Sequence, residues 1–533
     1  MSVLLPPSQR AVQLVGSDAL ALNGDKPVVP PGPHQILAEV QAVGLCYSDL
    51  KLLKQFSQHV RKSEVTGGIS AEALAEMPNY VPGGKPAVPG HEAVVRVVAV
   101  GPGVSHHQVG ERLLVQTDYR WLPTARSNAA FGYNFEGALQ EYVLMDERVI
   151  TSPEGESMLI PVPEEFAASA IALIEPWACV ENAYAEKQRR SLKPQGRAVV
   201  VADNDRLMET ARLELPGLSP PTFVAADRVA DLAANTFDDI LYFGSDPATI
   251  ETLVTRLAPG GLLGILQCGG RFGRAVRLPV GRVHYGGIRI AGTTTSSVRA
   301  LIAAIPQTAD LPAKAKVNVV GAAGPMGTMH VVRALCREPG VTVYAGDLND
   351  ERLAGLEKLA KPLAAANGCA IETYNPSRGT PAVAFDYVVV MAPVPALVQA
   401  AVKQAGRGGI INIFAGIPAE VTAEIDLDAT IAKSLYFIGT SGSVLADMKR
   451  VLAEVVARRL DTNLSVAAVA GLDGAIAGIR AVEKNAVPGK IVVYPSCRGL
   501  PLTPLAELKD VPVDGNLWTK ASEDALLQQW KRT

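Results

Sequence analysis

The sequence predicts an α/β protein in which a mostly β domain is followed by two doubly wound units with parallel sheets. Up to about residue 190 the chain is rich in Val, Gly and Pro, and short strand-like runs such as QILAEVQAVGL (35–45) alternate with turn signals. Residues 164–188 then change to helical periodicity, which ends the first domain. After Gly196, strand and helix patterns alternate, as is typical of parallel sheets with crossover helices.

An internal repeat accounts for much of the second half of the chain. The segment FDDILYFGSDPA, which begins at Phe237, matches FDYVVVMAPVPA, which begins 148 residues later at Phe385. Downstream, Gly292 matches Gly439 at an offset of 147 residues. Before these matches the second copy uses 65 residues, from Val320 to Phe385, where the first copy uses 36. The excess of 29 residues predicts about one additional helix and one additional strand in the second copy.

These patterns set the predicted domain organisation. A length of 533 residues favours three or four domains. We expect the first domain at 1–190, completed by about 466–497, and a degenerate first copy of the repeat at 196–312. The second copy is predicted at 313–465 and a C-terminal extension at 498–533.

Charge, hydropathy and cysteine usage argue against several classes of protein. The formal charge is −3 and the 50 Lys and Arg residues are scattered, so nucleic acid is not an expected partner. Polar or turn residues interrupt every long apolar run, and the N-terminus lacks the basic region of a signal peptide, so we expect a cytoplasmic protein without a membrane span. The six cysteines form no C-x-x-C pair, which argues against a disulfide framework and against a structural zinc site.

A glycine loop marks the second copy as the nucleotide-binding one. In KVNVVGAAGPMGTMHVVRAL a valine-rich strand leads into Gly321, Gly324 and Gly327, and an apolar-periodic helix follows. Such a loop lets the backbone approach a pyrophosphate at the helix N-terminus. Asp347 ends the next strand 23 residues after Gly324, where a carboxylate binds the adenosine ribose of NAD and repels the 2′-phosphate of NADP. The alternatives are a purely structural turn, or NADP bound with the help of Arg352.

Four residues have the chemistry of zinc ligands: Cys46, His91, Glu92 and Glu175. Three protein ligands leave the fourth position of a catalytic zinc open for substrate. Each residue also has a structural interpretation, for example a hydrogen-bonded core histidine, a half-buried thiol or an acid at a helix start. A metal that polarises an alcohol and a nicotinamide that accepts a hydride are two halves of one reaction, so the two predicted sites support each other.

Together these motifs resemble the zinc-dependent medium-chain dehydrogenase/reductase superfamily, on its sorbitol and threonine dehydrogenase side. The matching segments are GLCYSDLK, PGHEAVVRVVAVGPGV, GALQEYVLMDERVI, ALIEPWACV, VVGAAGPMGTMHVVRAL, FDYVVVMAP and VPGKIVVYP. The wording GPMG-x-MH is also similar to that of sugar-phosphate reductases such as L-sorbose-1-phosphate reductase. The resemblance implies a GroES-like catalytic domain and a Rossmann domain, with the extra copy as a degenerate Rossmann-like unit.

The resemblance also implies roles for individual residues. One catalytic zinc would be bound by Cys46, His91 and Glu175, with Glu92 as an alternate ligand or a supporting acid. Asp49 would orient His91, and Ser48 would touch the reacting oxygen and start the proton relay. NAD would be bound along the glycine loop, which comprises Gly321, Gly324, Pro325, Met326 and Gly327, with its ribose on Asp347.

Three departures from the family pattern stand out. Lys51 stands where relatives often have a relay histidine, and the 45-residue gap from Cys46 to His91 contains an insertion that we expect near the substrate. The degenerate copy has no glycine loop, so we expect a scaffold or an oligomer surface there and no bound dinucleotide. The resemblance further implies a homo-oligomer, either a dimer or a tetramer.

The sequence therefore predicts a zinc-dependent oxidoreductase. It would transfer a hydride between NAD(H) and a secondary alcohol, such as a polyol, a sugar or a sugar phosphate. Two alternatives stay open: a zinc-free NAD(P)H reductase of the quinone type, and a non-catalytic nucleotide-binding or assembly protein.

Overall fold

A computed structural model describes residues 5–215, 222–337, 339–513 and 517–530. The chain forms two compact units, one made of 1–178 together with 444–533 and the other of 179–443. The domain boundaries given above remain predictions, and parts of the predicted C-terminal extension, 514–516 and 531–533, lie outside the described residues.

The first stretch of the chain is mostly β. Its strands are β1 (Ser8–Gly16), β2 (Ala19–Pro27), β3 (Gln35–Gly44), β4 (Glu92–Val100), β5 (Arg112–Val115), β6 (Asp118–Pro123), β7 (Asn128–Ala130), β8 (Tyr142–Asp146) and β9 (Leu159–Pro161). Its helices are α1 (Tyr47–Gln55), α2 (Ala71–Ala75), α3 (Glu147–Ile150), α4 (Ala168–Ala172) and α5 (Ile174–Ala185), with 3-10 turns at Phe56–Gln58 and Val60–Lys62.

The middle of the chain alternates strands and helices. The strands are β10 (Ala198–Ala202), β11 (Thr222–Ala225), β12 (Phe237–Phe243), β13 (Leu257–Leu266), β14 (Val276–Leu278), β15 (Arg289–Thr293), β16 (Lys316–Val320), β17 (Thr342–Gly346), β18 (Ala370–Tyr374), β19 (Phe385–Val390), β20 (Ala405–Ile413), β21 (Ala423–Ile425) and β22 (Tyr436–Ile438). The helices are α6 (Asp205–Glu214), α7 (Pro247–Leu253), α8 (Gly281–Tyr285), α9 (Val298–Ala303), α10 (Pro325–Arg337), α11 (Asp350–Ala366), α12 (Pro395–Gln404) and α13 (Leu427–Ala432), with 3-10 turns at Ala226–Asp231 and Val254–Arg256.

The last stretch returns to the first unit. It contains α14 (Leu445–Val456), β23 (Val466–Ala470), α15 (Leu472–Glu483), β24 (Lys490–Val493), β25 (Thr503–Pro504) and α16 (Lys520–Gln529), with 3-10 turns at Thr462–Ser465 and Leu505–Glu507. The main sheet of this unit has the order β25-β23-β24-β3-β4-β5-β9, and β8 also pairs with β3.

The strand register of this sheet positions the candidate metal ligands. β3 pairs antiparallel with β4 so that Gly44 lies opposite Glu92, and β24 pairs with β3 so that Val492 lies opposite Gly44. The end of β3 and the beginnings of β4 and β24 therefore meet in one place. The residues that follow β3 or precede β4 are brought together by this register, although 45 residues separate Cys46 from His91 in the sequence.

The second unit contains two parallel sheets, as the repeat predicts. The first copy has the strand order β11-β10-β12-β13-β15, and the second has β18-β17-β16-β19-β20-β22. Between equivalent strands the first copy has only the 3-10 turn Ala226–Asp231, whereas the second has α11 and β18. The excess of 29 residues is thus one helix and one strand, and the predicted α/β fold class is confirmed. In the described part of the chain, no helix combines the length and hydropathy needed to cross a membrane.

Candidate active site

Cys46, His91 and Glu92 form a candidate metal site. A ligand atom of each, namely the thiol sulfur, a ring nitrogen and a carboxylate oxygen, lies within 4.8 Å of the other two. Cys46 is the N-cap residue of α1, and Glu92 is the first residue of β4. His91 and Glu92 are buried, and Cys46 is partly exposed, so the site is mostly enclosed. This donor set suits zinc.

Asp49 fixes the geometry of two of these ligands. Its Oδ2 accepts a hydrogen bond from the backbone N–H of Cys46 at 3.1 Å, and its Oδ1 lies 3.1 Å from His91 Nδ1. Because Nδ1 is engaged by the carboxylate, the Nε2 atom of His91 is the nitrogen left for a metal. Burial opposes protonation of His91, but the charges of Asp49 and Tyr133 and the hydrogen bonds with Asp49 and Cys46 together raise the pKa of the imidazole. Asp49 therefore lies where it can orient His91, and this orienting role stays a prediction.

Ser48 lies beside the ligand atoms. Its Oγ donates to Cys46 Sγ at 3.1 Å and lies 3.2 Å from His91 Nε2. The ring of Tyr133 packs against that of His91 at 5.8 Å and stacks on that of His59 at 5.2 Å. Burial raises the pKa of Tyr133, and a hydrogen bond with Ser48 opposes this increase. His59 lies in the insertion expected near the substrate, whereas Tyr133 had no sequence signal, because its position depends on long-range packing.

Glu92 forms a buried ion pair with Lys490, a residue that sequence reasoning did not assign to the site. Lys490 Nζ donates to Glu92 Oε1 at 2.5 Å and to the carbonyl oxygen of Leu45 at 2.7 Å. Their side chains are 4 % and 0 % exposed, so the two charges depend on each other. Lys490 lies in the segment VPGKIVVYP. A charged residue at the start of a buried strand is the sequence feature that could have indicated its place in the site.

The second oxygen of Glu92 has no hydrogen-bond partner. Oε2 is buried, and no described residue donates to it. It lies against Gly44, where an added Cβ would come within 2.1 Å of it. A buried carboxylate oxygen without a donor is costly unless a cation or a water satisfies it. The residues present therefore fit a divalent metal.

Glu175 is buried beside this cluster in the first turn of α5. Its pKa is raised to about 7, because burial and the charge of Glu92 disfavour the carboxylate more than His91 and Lys490 favour it. These interactions indicate that it is near the other ligands, but its carboxylate does not belong to the set within 4.8 Å. Its role as a zinc ligand stays a prediction.

The glycine loop between β16 and α10 has the shape of a pyrophosphate cradle. Gly321 adopts φ +86°, and an added Cβ on Gly327 would lie 2.4 Å from the carbonyl oxygen of Gly321. At Gly324 no atom lies within 4 Å of an added Cβ, so the backbone there is open to a ligand. Pro325 and Met326 follow as the first residues of α10 and are partly exposed.

Asp347 lies next to this loop. Its Oδ2 accepts a hydrogen bond from the backbone N–H of Ala323 at 3.1 Å, and its Oδ1 accepts one from the N–H of Asn349 at 3.1 Å. The following residue, Leu348, is 73 % exposed. Arg352 is in the first turn of α11, where its backbone N–H donates to the N-cap residue Asn349 at 2.9 Å. The strand, glycine loop, helix and acid thus lie next to one another, and their cofactor-binding roles stay predictions.

In the first copy of the repeat, a carboxylate lies where the second copy has its glycine loop. Asp203 follows β10, and it accepts hydrogen bonds from the N–H of Ser245 at 2.9 Å and from the hydroxyl of Tyr242. An added Cβ on Gly244 would lie 2.3 Å from Asp203 Oδ2, so the carboxylate fills the space at this end of the sheet. A negative charge there disfavours a pyrophosphate.

Comparison with known proteins identifies relatives. Residues 32–154 match the model of the alcohol dehydrogenase GroES-like domain. The chain is 26 % identical over 245 residues to an uncharacterized protein, YggP, of Escherichia coli, covering 40 % of this chain and 56 % of that protein. It is 30 % identical over 151 residues to L-sorbose 1-phosphate reductase of Klebsiella pneumoniae, covering 27 % and 36 %. Each of these matches spans less than two thirds of the relative's own length.

The fold is also that of a solved dehydrogenase. The crystal structure of 2R,3R-butanediol dehydrogenase from Bacillus subtilis covers 92 % of this chain and 100 % of its own, with a TM-score of 0.54 and 16 % identity. The resemblance seen in the motifs is thereby confirmed: residues 32–154 match the alcohol dehydrogenase GroES-like domain, the second unit contains Rossmann-like sheets, and parts of the chain are similar to alcohol dehydrogenases, a zinc-type alcohol dehydrogenase-like protein among them.

Proposed function

We propose that this protein is a zinc-dependent oxidoreductase that transfers a hydride between a secondary alcohol and NAD(H). The observation that carries the proposal is the cluster of Cys46, His91 and Glu92, in which Glu92 Oε2 is buried without a donor among the described residues. A cation beside this oxygen would offset its desolvation, which favours a metal over a purely structural cluster.

The side chains around the cluster supply the remaining chemistry. When bound, zinc supplies a Lewis acid that lowers the pKa of an alcohol, and NAD supplies the hydride acceptor. Ser48 Oγ lies 3.2 Å from His91 Nε2, so it would be placed to hydrogen-bond with the hydroxyl of a substrate bound beside these ligands. Asp49 holds His91 in the orientation that ligation needs. The ring of Tyr133 packs against that of His91 at 5.8 Å and adds apolar surface beside the candidate metal ligands.

We propose a polyhydroxylated substrate, such as a polyol, a sugar or a sugar phosphate. The segment between Cys46 and His91 brings polar groups close to Tyr133: the ring of His59 stacks on it, and the guanidinium of Arg61 lies 5.6 Å from its centroid. Polar groups of this kind discriminate hydroxylated substrates better than an apolar pocket does. The similarity to L-sorbose 1-phosphate reductase supports the same substrate class.

We propose NAD as the cofactor in preference to NADP. Asp347 is held at the glycine loop by the N–H of Ala323, which places a negative charge where the adenosine ribose binds in doubly wound folds. This carboxylate would accept hydrogen bonds from the 2′-hydroxyl group of NAD and repel the 2′-phosphate of NADP.

Metal analysis combined with turnover tests the proposal. The variants Cys46→Ser and His91→Ala should lose both bound zinc and NAD-linked oxidation of polyols, whereas the control Cys369→Ser should keep both. Comparing Glu92→Gln with Glu175→Gln then shows which carboxylate retains the metal. Full activity without zinc would instead support a zinc-free reductase, and NAD binding without turnover on any alcohol, sugar or sugar phosphate would support a non-catalytic protein.

A further inference from the structure

The two copies of the repeat contact each other through equivalent strands. β14 and β21 are equivalent at the repeat offset of 147 residues, and they pair antiparallel. In this pairing Arg277 lies opposite Glu424, which is its own equivalent, and Val276 lies opposite Ile425. A strand that pairs antiparallel with its own equivalent is what a two-fold axis through a self-complementary interface produces.

The neighbouring contacts are reciprocal in the same way. An added Cβ on Gly292 would lie 2.4 Å from Ile431 Cγ1, and one on Gly439 would lie 2.8 Å from His284 Cα. Gly292 is equivalent to Gly439, and His284 is equivalent to Ile431, at the offset of 147. The glycine of each copy therefore receives the short helix of the other, α13 in one case and α8 in the other. Reciprocity of this kind characterises an isologous interface.

The starts of the two short helices repeat this arrangement. At the start of α8, an added Cβ on Gly281 would lie 2.1 Å from the carbonyl oxygen of Pro418. At the start of α13, the carboxylate of Asp428 accepts hydrogen bonds from the N–H groups of Phe272 and Gly273 at 3.0 and 3.1 Å. One continuous cluster of buried apolar residues includes members of both copies, as a permanent interface requires.

We propose that the first copy serves as an internal subunit for the nucleotide-binding copy. It covers the pairing face of the second copy, by which we mean β21, α13 and β22, so no second chain pairs there. The first copy carries Asp203 in place of a glycine loop, which leaves one nucleotide site in a two-fold assembly made by a single chain. The homo-oligomer predicted from the family resemblance would have to use a different surface. This proposal does not depend on the reaction that the protein catalyses.

A disulfide between the two copies tests this proposal in the full chain. Arg277 and Glu424 are exposed and lie opposite each other in the strand pair, so their Cα atoms are about 4.5–5.5 Å apart, within the range for a disulfide. The double variant Arg277→Cys, Glu424→Cys is oxidised over a 100-fold range of protein concentration. It is then analysed by non-reducing denaturing electrophoresis and by titration of free thiols.

We expect a linked product with the mass of a single chain at every concentration, and the same thiol titre as the unmodified protein. A product of twice the chain mass would overturn the proposal, because the copies would then pair between chains. Two additional free thiols after oxidation would also overturn it, because paired strands hold these positions within reach. The single variants Arg277→Cys and Glu424→Cys are the controls. A dimer formed by either one would show that two chains meet at this face.

Discussion

The sharpest prediction concerns the buried lysine of the candidate metal site. Lys490→Met keeps the length of the side chain and removes its charge. The Glu92 carboxylate, 0 % exposed, then loses its ion-pair partner at 2.5 Å, while its other oxygen already has no donor among the described residues. Removing one partner of a buried ion pair costs about 3–5 kcal/mol, because the remaining charge stays desolvated.

This cost should depend on the metal. In metal-free protein we expect the full loss, and a loss of about 3 kcal/mol lowers the Tm of a unit of this size by roughly 5 °C. With zinc bound, a cation again faces Glu92 and part of the loss is recovered. Zinc should therefore raise the Tm of the variant more than it raises that of the unmodified protein.

Scanning calorimetry of protein stripped with a chelator, before and after addition of zinc, measures both effects. The matched control is Lys54→Met, which removes an exposed lysine that pairs with Asp18 and Glu483 at 2.7 and 2.6 Å, and we expect little change there. Adding Glu92→Gln to Lys490→Met should restore most of the lost stability, since no buried charge is then left unpaired. An unchanged Tm for metal-free Lys490→Met would refute the reasoning.

Three further predictions concern the second unit. Asp347→Asn should raise the affinity for NADP relative to NAD by about tenfold or more in fluorescence titrations, because it removes the charge that repels a 2′-phosphate. Gly324→Ala should weaken NAD binding without lowering the Tm, because a Cβ at this position meets no protein atom. Gly327→Ala should lower both the affinity for NAD and the Tm, because a Cβ at Gly327 would lie 2.4 Å from a carbonyl oxygen. Burial lowers the pKa of His330 from 6.5 to about 3, so the unfolded chain binds a proton below pH 6.5 that the folded chain does not. Stability from His330 should therefore fall by about 2 kcal/mol from pH 7.5 to 5, and His330→Gln should reduce the pH slope in denaturant titrations.

Each of these three has a contradicting outcome. If Asp347→Asn leaves the ratio of the affinities for NADP and NAD unchanged, this carboxylate does not contact the ribose. Equal Tm losses for the two glycine variants would contradict the open space seen at Gly324. An identical pH slope with and without His330 would show that its burial does not control its protonation in the folded state.

The parts of the site that lie on one local motif were predictable from sequence. A strand, a glycine loop and a helix are adjacent in the chain, so Asp347 reaches the loop through the pairing of two neighbouring parallel strands. Cys46 and His91 flank two antiparallel strands, and their chemistry is distinctive enough to suggest a shared metal. Lys490 was not predictable, because its position depends on the contact of Leu45 with Ile491, far apart in the sequence.

The relation between the two copies shows the same limit. The unequal lengths of the copies predicted the extra helix and strand, because length follows directly from the number of elements. The antiparallel contact of β14 with β21 gave no sequence signal, since each strand has only three residues. A repeat reveals that two units have the same fold, but the contact between them depends on shape and burial.

The charges of the candidate metal site give its buried lysine a function. A Cys46 thiolate with the carboxylates of Glu92 and Glu175 would carry three negative charges, which a bound zinc ion and Lys490 together would neutralise. Without a metal, burial and the charge of Glu92 raise the pKa of Glu175 to about 7. With both carboxylates at the metal, Lys490 would let the two acids share one cation without leaving a buried net charge. Its burial next to Glu92 is therefore better explained by metal binding than by stability alone, since an apolar pair would fill the same space at lower cost.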